Sequence, residues 1–164
     1  MIKLKNIIFE SETDGYVYRG TTSHGNVNLG KQSGSVQDKL VATLGPNYTD
    51  NKEIAMIFKR GAGKGGKLLK KKFTGKVLEL NDYNDVVRLY AQYKDQLSPG
   101  IVNKIKQSEG QPQLQYIQSV GEELRKVLKN KGYKWVKSPF AVSDASNFAK
   151  RGLTGNILID LSFN

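Results

Sequence analysis

The sequence contains no cysteine and only one histidine among its 164 residues. Without cysteine the chain can form neither a disulfide framework nor a thiolate metal site, and one histidine argues against a zinc site built from imidazoles. We therefore expect no metal. Apolar runs are also short, and none approaches the roughly 20 residues of a membrane-spanning helix, so we expect no membrane partner. A chain of this length is expected to form one domain with its own core.

Carboxylates are scarce relative to cations. The chain has 26 Lys and Arg against 15 Asp and Glu, which gives a formal net charge of +11. Such an excess predicts attraction to polyanions, namely DNA, RNA or an acidic protein. The densest segment, KRGAGKGGKLLKKK over 59–72, is interpreted as a flexible basic loop, either solvated or in contact with DNA. Its candidate polyanion contacts are Lys59, Arg60, Lys64, Lys67, Lys70, Lys71 and Lys72.

The segment YVYRGTTS, residues 16–23, is the candidate centre of the protein. Its β-branched and aromatic residues favour a strand. Gly20 allows a ligand or another stretch of backbone to come close. Arg19 and the hydroxyl of Thr21 then stand at the strand end, where they could bind a polar ligand. The alternative is an ordinary strand that enters a turn, with Arg19 in a surface salt bridge.

The remaining pattern predicts grouped helices between strands. Asp50 followed by Glu53 predicts a capping-box start for a helix that ends near Gly61. Apolar spacing predicts a longer helix over 114–128, and further strands are expected over 73–80, 133–136 and 156–161. Because the helices are grouped rather than alternating strictly with strands, the order favours an α+β fold over a doubly wound sheet.

Three pieces of sequence, in order, resemble the ADP-ribosyltransferase superfamily, especially its small phage and toxin members. They are YRGT on the first strand, NYTDNKEIAMIF entering a helix, and GYKWV followed by NILID. The resemblance implies a compact split-sheet domain that uses NAD as cofactor. By the family's pattern, Arg19, Gly20 and Thr21 bind NAD, while Tyr48 and Thr49 lie beside the nicotinamide.

The resemblance departs from the family at the catalytic carboxylate. The Glu that the family places just before its last strand falls on Gly155 or Asn156 here. Breaking the nicotinamide–ribose bond builds positive charge on the ribose, which a carboxylate stabilises. The candidate catalytic residues are therefore Arg19, Tyr48 and, as a substitute acid, Asp160. The alternative role for Asp160 is a structural bridge near the C-terminus.

The first ten residues resemble a cleavable capsid-targeting leader of internal head proteins in T-even-like phages. Ile8-Phe9-Glu10 fits the tripeptide after which such leaders are cut, so cleavage is expected at Glu10 and residues 11–164 would form the single domain. This resemblance implies a location in the phage head, and in the host cytoplasm after infection. An edge strand or a short helix is the alternative structure for these residues.

Two functions remain open from the sequence. The first is a phage-encoded ADP-ribosyltransferase-like protein that uses NAD to modify a host protein or nucleic acid. The second is a non-enzymatic basic internal protein that binds DNA or inhibits a host defence system. The basic segment and the missing Glu favour the second, whereas the ordered motifs favour the first.

Overall fold

The computed structural model describes residues 4–5, 15–21, 43–93, 96, 114–138 and 150–163. These residues form seven strands and three helices. In chain order they are β1 (Leu4–Lys5), β2 (Tyr16–Thr21), β3 (Asn47–Thr49), α1 (Lys52–Gly61), β4 (Lys67–Lys72), β5 (Lys76–Glu79), α2 (Tyr83–Gln92), α3 (Leu114–Asn130), β6 (Tyr133–Lys137) and β7 (Ile157–Asp160). The predicted mixture of helices and strands is confirmed at this level.

All seven strands belong to one mixed sheet with the order β1-β5-β6-β7-β3-β2-β4. Neighbouring strands are antiparallel except β5 and β6, which are parallel. β1 and β4 therefore lie at the two edges of the described sheet. The residues Leu4 and Lys5 thus form an edge strand, whereas the predicted cleavage site at Glu10 lies outside the described residues.

The sheet is curled, as the connection between β4 and β5 requires. Only three residues, 73–75, join these strands, although four other strands separate them in the sheet. In a flat sheet their axes would be about 24 Å apart, at about 4.8 Å per strand spacing. The chain from Lys72 to Lys76 can span only about 14 Å. The sheet must therefore bend, which gives it a concave and a convex face.

The three helices pack on the convex face. Leu78, Val136 and Ile159 are cross-strand partners in register and hence share this face. They are buried together with apolar residues of α2 and α3, among them Val86, Leu89, Tyr90, Val120, Leu124 and Leu128. On the same face, α1 lies directly over β2. The main hydrophobic core therefore lies between the convex face of the sheet and the helices.

A smaller apolar cluster lies on the concave face. It consists of buried Val17, Phe73, Val77, Trp135 and Leu158. The Phe73 and Trp135 rings are 5.0 Å apart between centroids. The indole Nε1 of Trp135 donates a hydrogen bond of 3.1 Å to the carbonyl oxygen of residue 74. This bond ties the β4–β5 connection to β6 and fixes the indole within the curl.

Several sequence predictions need correction. The segment 59–72 is not a flexible loop: it contains the end of α1, a turn and the edge strand β4. The strand predicted over 73–80 starts only at Lys76. Asn51, not Asp50, caps α1, because its side chain accepts from the backbone N–H groups of Glu53 and Ile54. The sequence also predicts a short helix that starts at Ser98-Pro99 and another, capped by Asp144, over 145–151, and both fall largely outside the described residues.

Candidate functional site

Alternation along β2 divides the predicted site residues between the two faces of the sheet. Successive side chains of a strand point to opposite faces. Val17, Arg19 and Thr21 therefore share the concave face, whereas Gly20 lies on the convex face. At Gly20 an added Cβ would stand 2.2 Å from the carbonyl oxygen of Ala55. The close approach that this glycine permits is thus to the backbone of α1.

Arg19 is half-buried on the concave face, and no carboxylate of the described residues forms an ion pair with it. Its Nη1 atom is buried and has no hydrogen-bond partner among the described residues. Burial lowers the pKa of the Arg19 guanidinium, while the neighbouring Tyr48 raises it. A buried donor left unpaired costs about 1–3 kcal/mol. This nitrogen is consequently positioned to gain from an anionic or carbonyl acceptor.

Tyr48 lies beside Arg19 on the neighbouring strand β3. The register that pairs Tyr18 with Thr49 sets Arg19 across from Tyr48. The phenol ring stands edge-on to Trp135, with 5.9 Å between ring centroids and an interplanar angle of 89°. Burial raises the pKa of Tyr48, as does the charge of Asp160, whereas Arg19 lowers it. Arg19, Tyr48 and Asp160, three predicted catalytic residues, are therefore neighbours.

The carboxylate of Asp160 is buried, and its oxygens are already engaged. Lys71 Nζ bonds to Oδ2. The backbone N–H and the hydroxyl of Ser162 donate to Oδ1 over 2.9 and 2.6 Å. Lys71 also donates to the Ser162 hydroxyl over 2.8 Å and lies 5.6 Å from the centroid of the Trp135 ring. Lys71 thus belongs to this cluster, and it bridges β4 to β7 across the concave face.

Thr49 does not join the cluster. Its register partner is Tyr18, so both residues face α1. The Thr49 hydroxyl accepts a hydrogen bond of 3.1 Å from the backbone N–H of Asn51. This bond fixes the entry into α1. Thr21 shares the face of Arg19 and is buried, at the end of the strand.

A second carboxylate, Asp50, lies next to Gly155 and Asn156. Asp50 accepts hydrogen bonds from the backbone N–H and the side-chain Nδ2 of Asn156, over 2.8 and 2.7 Å. An added Cβ at Gly155 would come within 3.0 Å of the Thr49 hydroxyl and 3.1 Å of Asp50 Oδ1. Sequence reasoning missed this carboxylate because it interpreted Asp50 as a helix cap. Only the pairing of β3 with β7 brings residues 50 and 156 together.

The other predicted polyanion contacts lie along one edge of the fold. Lys59 and Arg60 end α1, Lys64 lies in the following turn, and Lys67, Lys70 and Lys72 belong to β4. Apart from Lys71, no cation of this stretch forms an ion pair within the part of the chain that the structure describes. Lys70 Nζ stands 4.0 Å above the ring of Tyr16.

Comparison with known proteins gives no family: no family model, no curated sequence and no solved structure matches the chain. Across the described ranges, no group of three or more His, Asp or Glu side chains is arranged to hold a metal ion. None of the helices in those ranges has the length and apolar character needed to cross a membrane. Function must therefore be inferred from the geometry of the site.

Proposed function

We propose that the concave face binds NAD and that the protein is ADP-ribosyltransferase-like, with Arg19 as the anchor for the dinucleotide. The observation that carries this proposal is the buried Nη1 of Arg19, which lies beside an aromatic side chain and has no hydrogen-bond partner in the part of the chain that the structure describes. An arginine with no carboxylate partner can donate two parallel hydrogen bonds to a phosphate or to a planar amide. NAD offers both kinds of acceptor.

The aromatic residues beside Arg19 support the same ligand. Tyr48 is half-buried and provides ring surface next to the guanidinium, and the buried Trp135 ring packs against it on the concave face. A nicotinamide or adenine ring has a flat apolar body with polar edges, so it suits a site in which aromatic surface and a donor converge.

Both carboxylates near the site already have hydrogen-bond partners, which favours NAD binding with only slow cleavage of the nicotinamide–ribose bond. Asp160 accepts hydrogen bonds from Lys71 and Ser162, and Asp50 accepts them from Asn156, so both carboxylates already have partners. Stabilisation of the developing ribose cation is usually worth several kcal/mol of barrier. We therefore expect NAD binding with slow release of nicotinamide. Transfer to a macromolecular acceptor, protein or nucleic acid, would need that acceptor to displace Lys71 or Asn156.

The binding proposal can be tested through the intrinsic fluorescence of the protein. Trp135 is the single tryptophan of the chain and lies at the proposed site. Titration with NAD should change its emission, and ADP-ribose should compete. In Arg19→Ala, the loss of charge-assisted hydrogen bonds worth about 1.5–3 kcal/mol should weaken NAD binding by roughly 10- to 100-fold.

A matched control is available in Arg125 on α3. Its Nη1 is also buried and lacks a hydrogen-bond partner among the described residues. Arg125→Ala should leave NAD affinity unchanged if the site is the one proposed. Equal affinities in the wild type, Arg19→Ala and Arg125→Ala would refute the assignment. Free nicotinamide, measured with Asp50→Asn and Asp160→Asn, would show which carboxylate assists any residual hydrolysis.

A further inference from the structure

A second surface of the molecule, away from the Arg19 cluster, is strongly basic. Between Glu53 and Glu79 the chain carries eight Lys and Arg residues and no Asp or Glu. Six of these cations lie on the end of α1, on the turn after it and on the edge strand β4, and we call this group the basic edge. Its members are Lys59, Arg60, Lys64, Lys67, Lys70 and Lys72.

Backbone contacts hold the turn between α1 and β4, so the Cα positions of the cations around it are fixed relative to one another. Gly66 donates its backbone N–H to the carbonyl oxygen of Gly63 over 3.0 Å. A Cβ at Gly66 would stand 2.1 Å from the carbonyl oxygen of Lys59, so the turn packs against the last turn of α1. This packing keeps Lys64 and Lys67 close to the end of the helix.

Along β4, alternation places Lys70 and Lys72 on the convex face and Lys67 on the concave face. Lys70 and Lys72 are two residues apart and lie on the same face, so their Cα atoms are about 6.6–6.8 Å apart. Lys67, Lys70 and Lys72 are exposed. None of the six cations of the basic edge is ion-paired in the described ranges. Within those ranges, no carboxylate neutralises these charges.

We infer that the basic edge binds the phosphate backbone of double-stranded nucleic acid without reading its bases. Lysine suits this role because its ammonium is a mobile point charge that contacts phosphates regardless of sequence. This inference is independent of NAD binding, because the basic edge shares no residue with the Arg19 cluster.

Two other roles for these cations explain their positions less well than duplex binding does. They are protection of the sheet edge against pairing with other strands, and binding of an acidic protein. Lysines on an edge strand sometimes have no role other than to prevent pairing with other sheets. This role does not explain Lys59, Arg60 and Lys64, which lie outside β4. An acidic protein partner would normally engage exposed apolar anchors, and lysine is depleted from protein interfaces. The exposed large apolar side chains in the described structure are Phe58 and Leu69; both lie beside the basic edge, where the six cations outnumber them.

The expected signature is a steep dependence on salt. Six phosphate contacts give a slope of about −5.4 for log K against log[salt], so affinity should fall about 10³-fold from 50 to 200 mM salt. Replacing three of the six cations should reduce the slope to about −2.7 and the loss over the same range to roughly 40-fold. Shuffled duplexes of equal length should bind equally.

The test compares two triple variants that lose the same charge. The first combines Lys64→Gln, Lys67→Gln and Lys72→Gln, all exposed positions of the basic edge. The second, the control, combines Lys126→Gln, Lys131→Gln and Lys150→Gln, which are exposed positions in or after α3 and near β7. Circular dichroism of both variants checks that they remain folded.

Binding of a labelled 20-base-pair duplex is measured by anisotropy across the salt series. The inference is supported if the first variant loses about half of the slope and the control keeps nearly all of it. It is overturned if both variants lose slope equally, since that would show an effect of net charge alone. It is also overturned if the duplex does not bind while poly-glutamate does, because the surface would then fit an acidic protein.

Discussion

Replacing Gly20 by alanine tests the packing of α1 on the sheet. The added methyl group would stand 2.2 Å from the carbonyl oxygen of Ala55 and 2.4 Å from the backbone nitrogen of Lys59. Ordinary contact of a Cβ begins at 3.4 Å, so the helix would have to move away by roughly 1 Å, and such overpacking typically costs about 1–3 kcal/mol.

The cost of Gly20→Ala should lie at the upper end of that range. Both obstructing atoms belong to the helix backbone, which cannot rotate away as a side chain can. The smaller entropy of the unfolded alanine chain returns only about 0.4–1 kcal/mol. We expect a net loss of about 2 kcal/mol in the free energy of unfolding. For a chain of this size the melting temperature should fall by about 4–8 °C.

Urea and thermal unfolding of Gly20→Ala, with Gly61→Ala as the control, measure this loss. Gly61 ends α1, and an added Cβ there would meet no atom within 4 Å. Alanine at Gly61 should therefore be neutral or slightly stabilising. If Gly20→Ala were as stable as the wild type and only lost ligand affinity, the glycine would contact a ligand and the packing of α1 would not depend on it.

Two further predictions concern stability. Burial raises the pKa of the Tyr90 phenol. Above about pH 10 the unfolded state therefore loses this proton while the folded state keeps it. The free energy of unfolding of the wild type should then fall by up to about 1.4 kcal/mol per pH unit because of this group. The free energies of unfolding of the wild type and of Tyr90→Phe, measured in urea, should converge as the pH rises from 9 to 11. A difference that stays constant over this range would contradict the prediction. Asn51→Ala should cost about 1–2 kcal/mol and lower the helix content, because Asn51 caps α1 and also donates to the carbonyl oxygen of Thr154. Asp50→Ala should leave the cap intact, and a greater loss of helix in Asp50→Ala than in Asn51→Ala would refute this assignment.

Much of the fold could be predicted because local patterns determine it. The alternation in β2 and the apolar spacing of α3 were sufficient to place both elements. Gly132, with φ of 88°, follows the end of α3, where glycine is a common helix stop. These features depend on residues close together in the chain, so propensity and periodicity capture them.

β4 could not be recognised because its sequence, KLLKKK, has the composition of a solvated loop. It is a strand because its whole length pairs with β2, from Thr21 with Lys67 to Tyr16 with Lys72. The same limit applies to the site. The partners Lys71 and Asp160 are 89 residues apart, and only the curl of the sheet brings them together. Contacts of this kind are set by topology, which local composition does not encode.

The division of β2 between two faces explains how one short motif can carry both structure and function. Arg19 is oriented toward the concave face, where its guanidinium lacks a described partner, while Gly20 admits the backbone of α1 on the other side. Because α1 packs against the residue next to Arg19, the helix fixes the strand from which the guanidinium extends. Arg19→Ala should therefore alter ligand affinity with little loss of stability, and Gly20→Ala should do the reverse. Two adjacent substitutions with opposite effects would support both the register of β2 and the location of the site. Equal effects on stability would mean that Arg19 is a packing residue of the sheet rather than a ligand anchor.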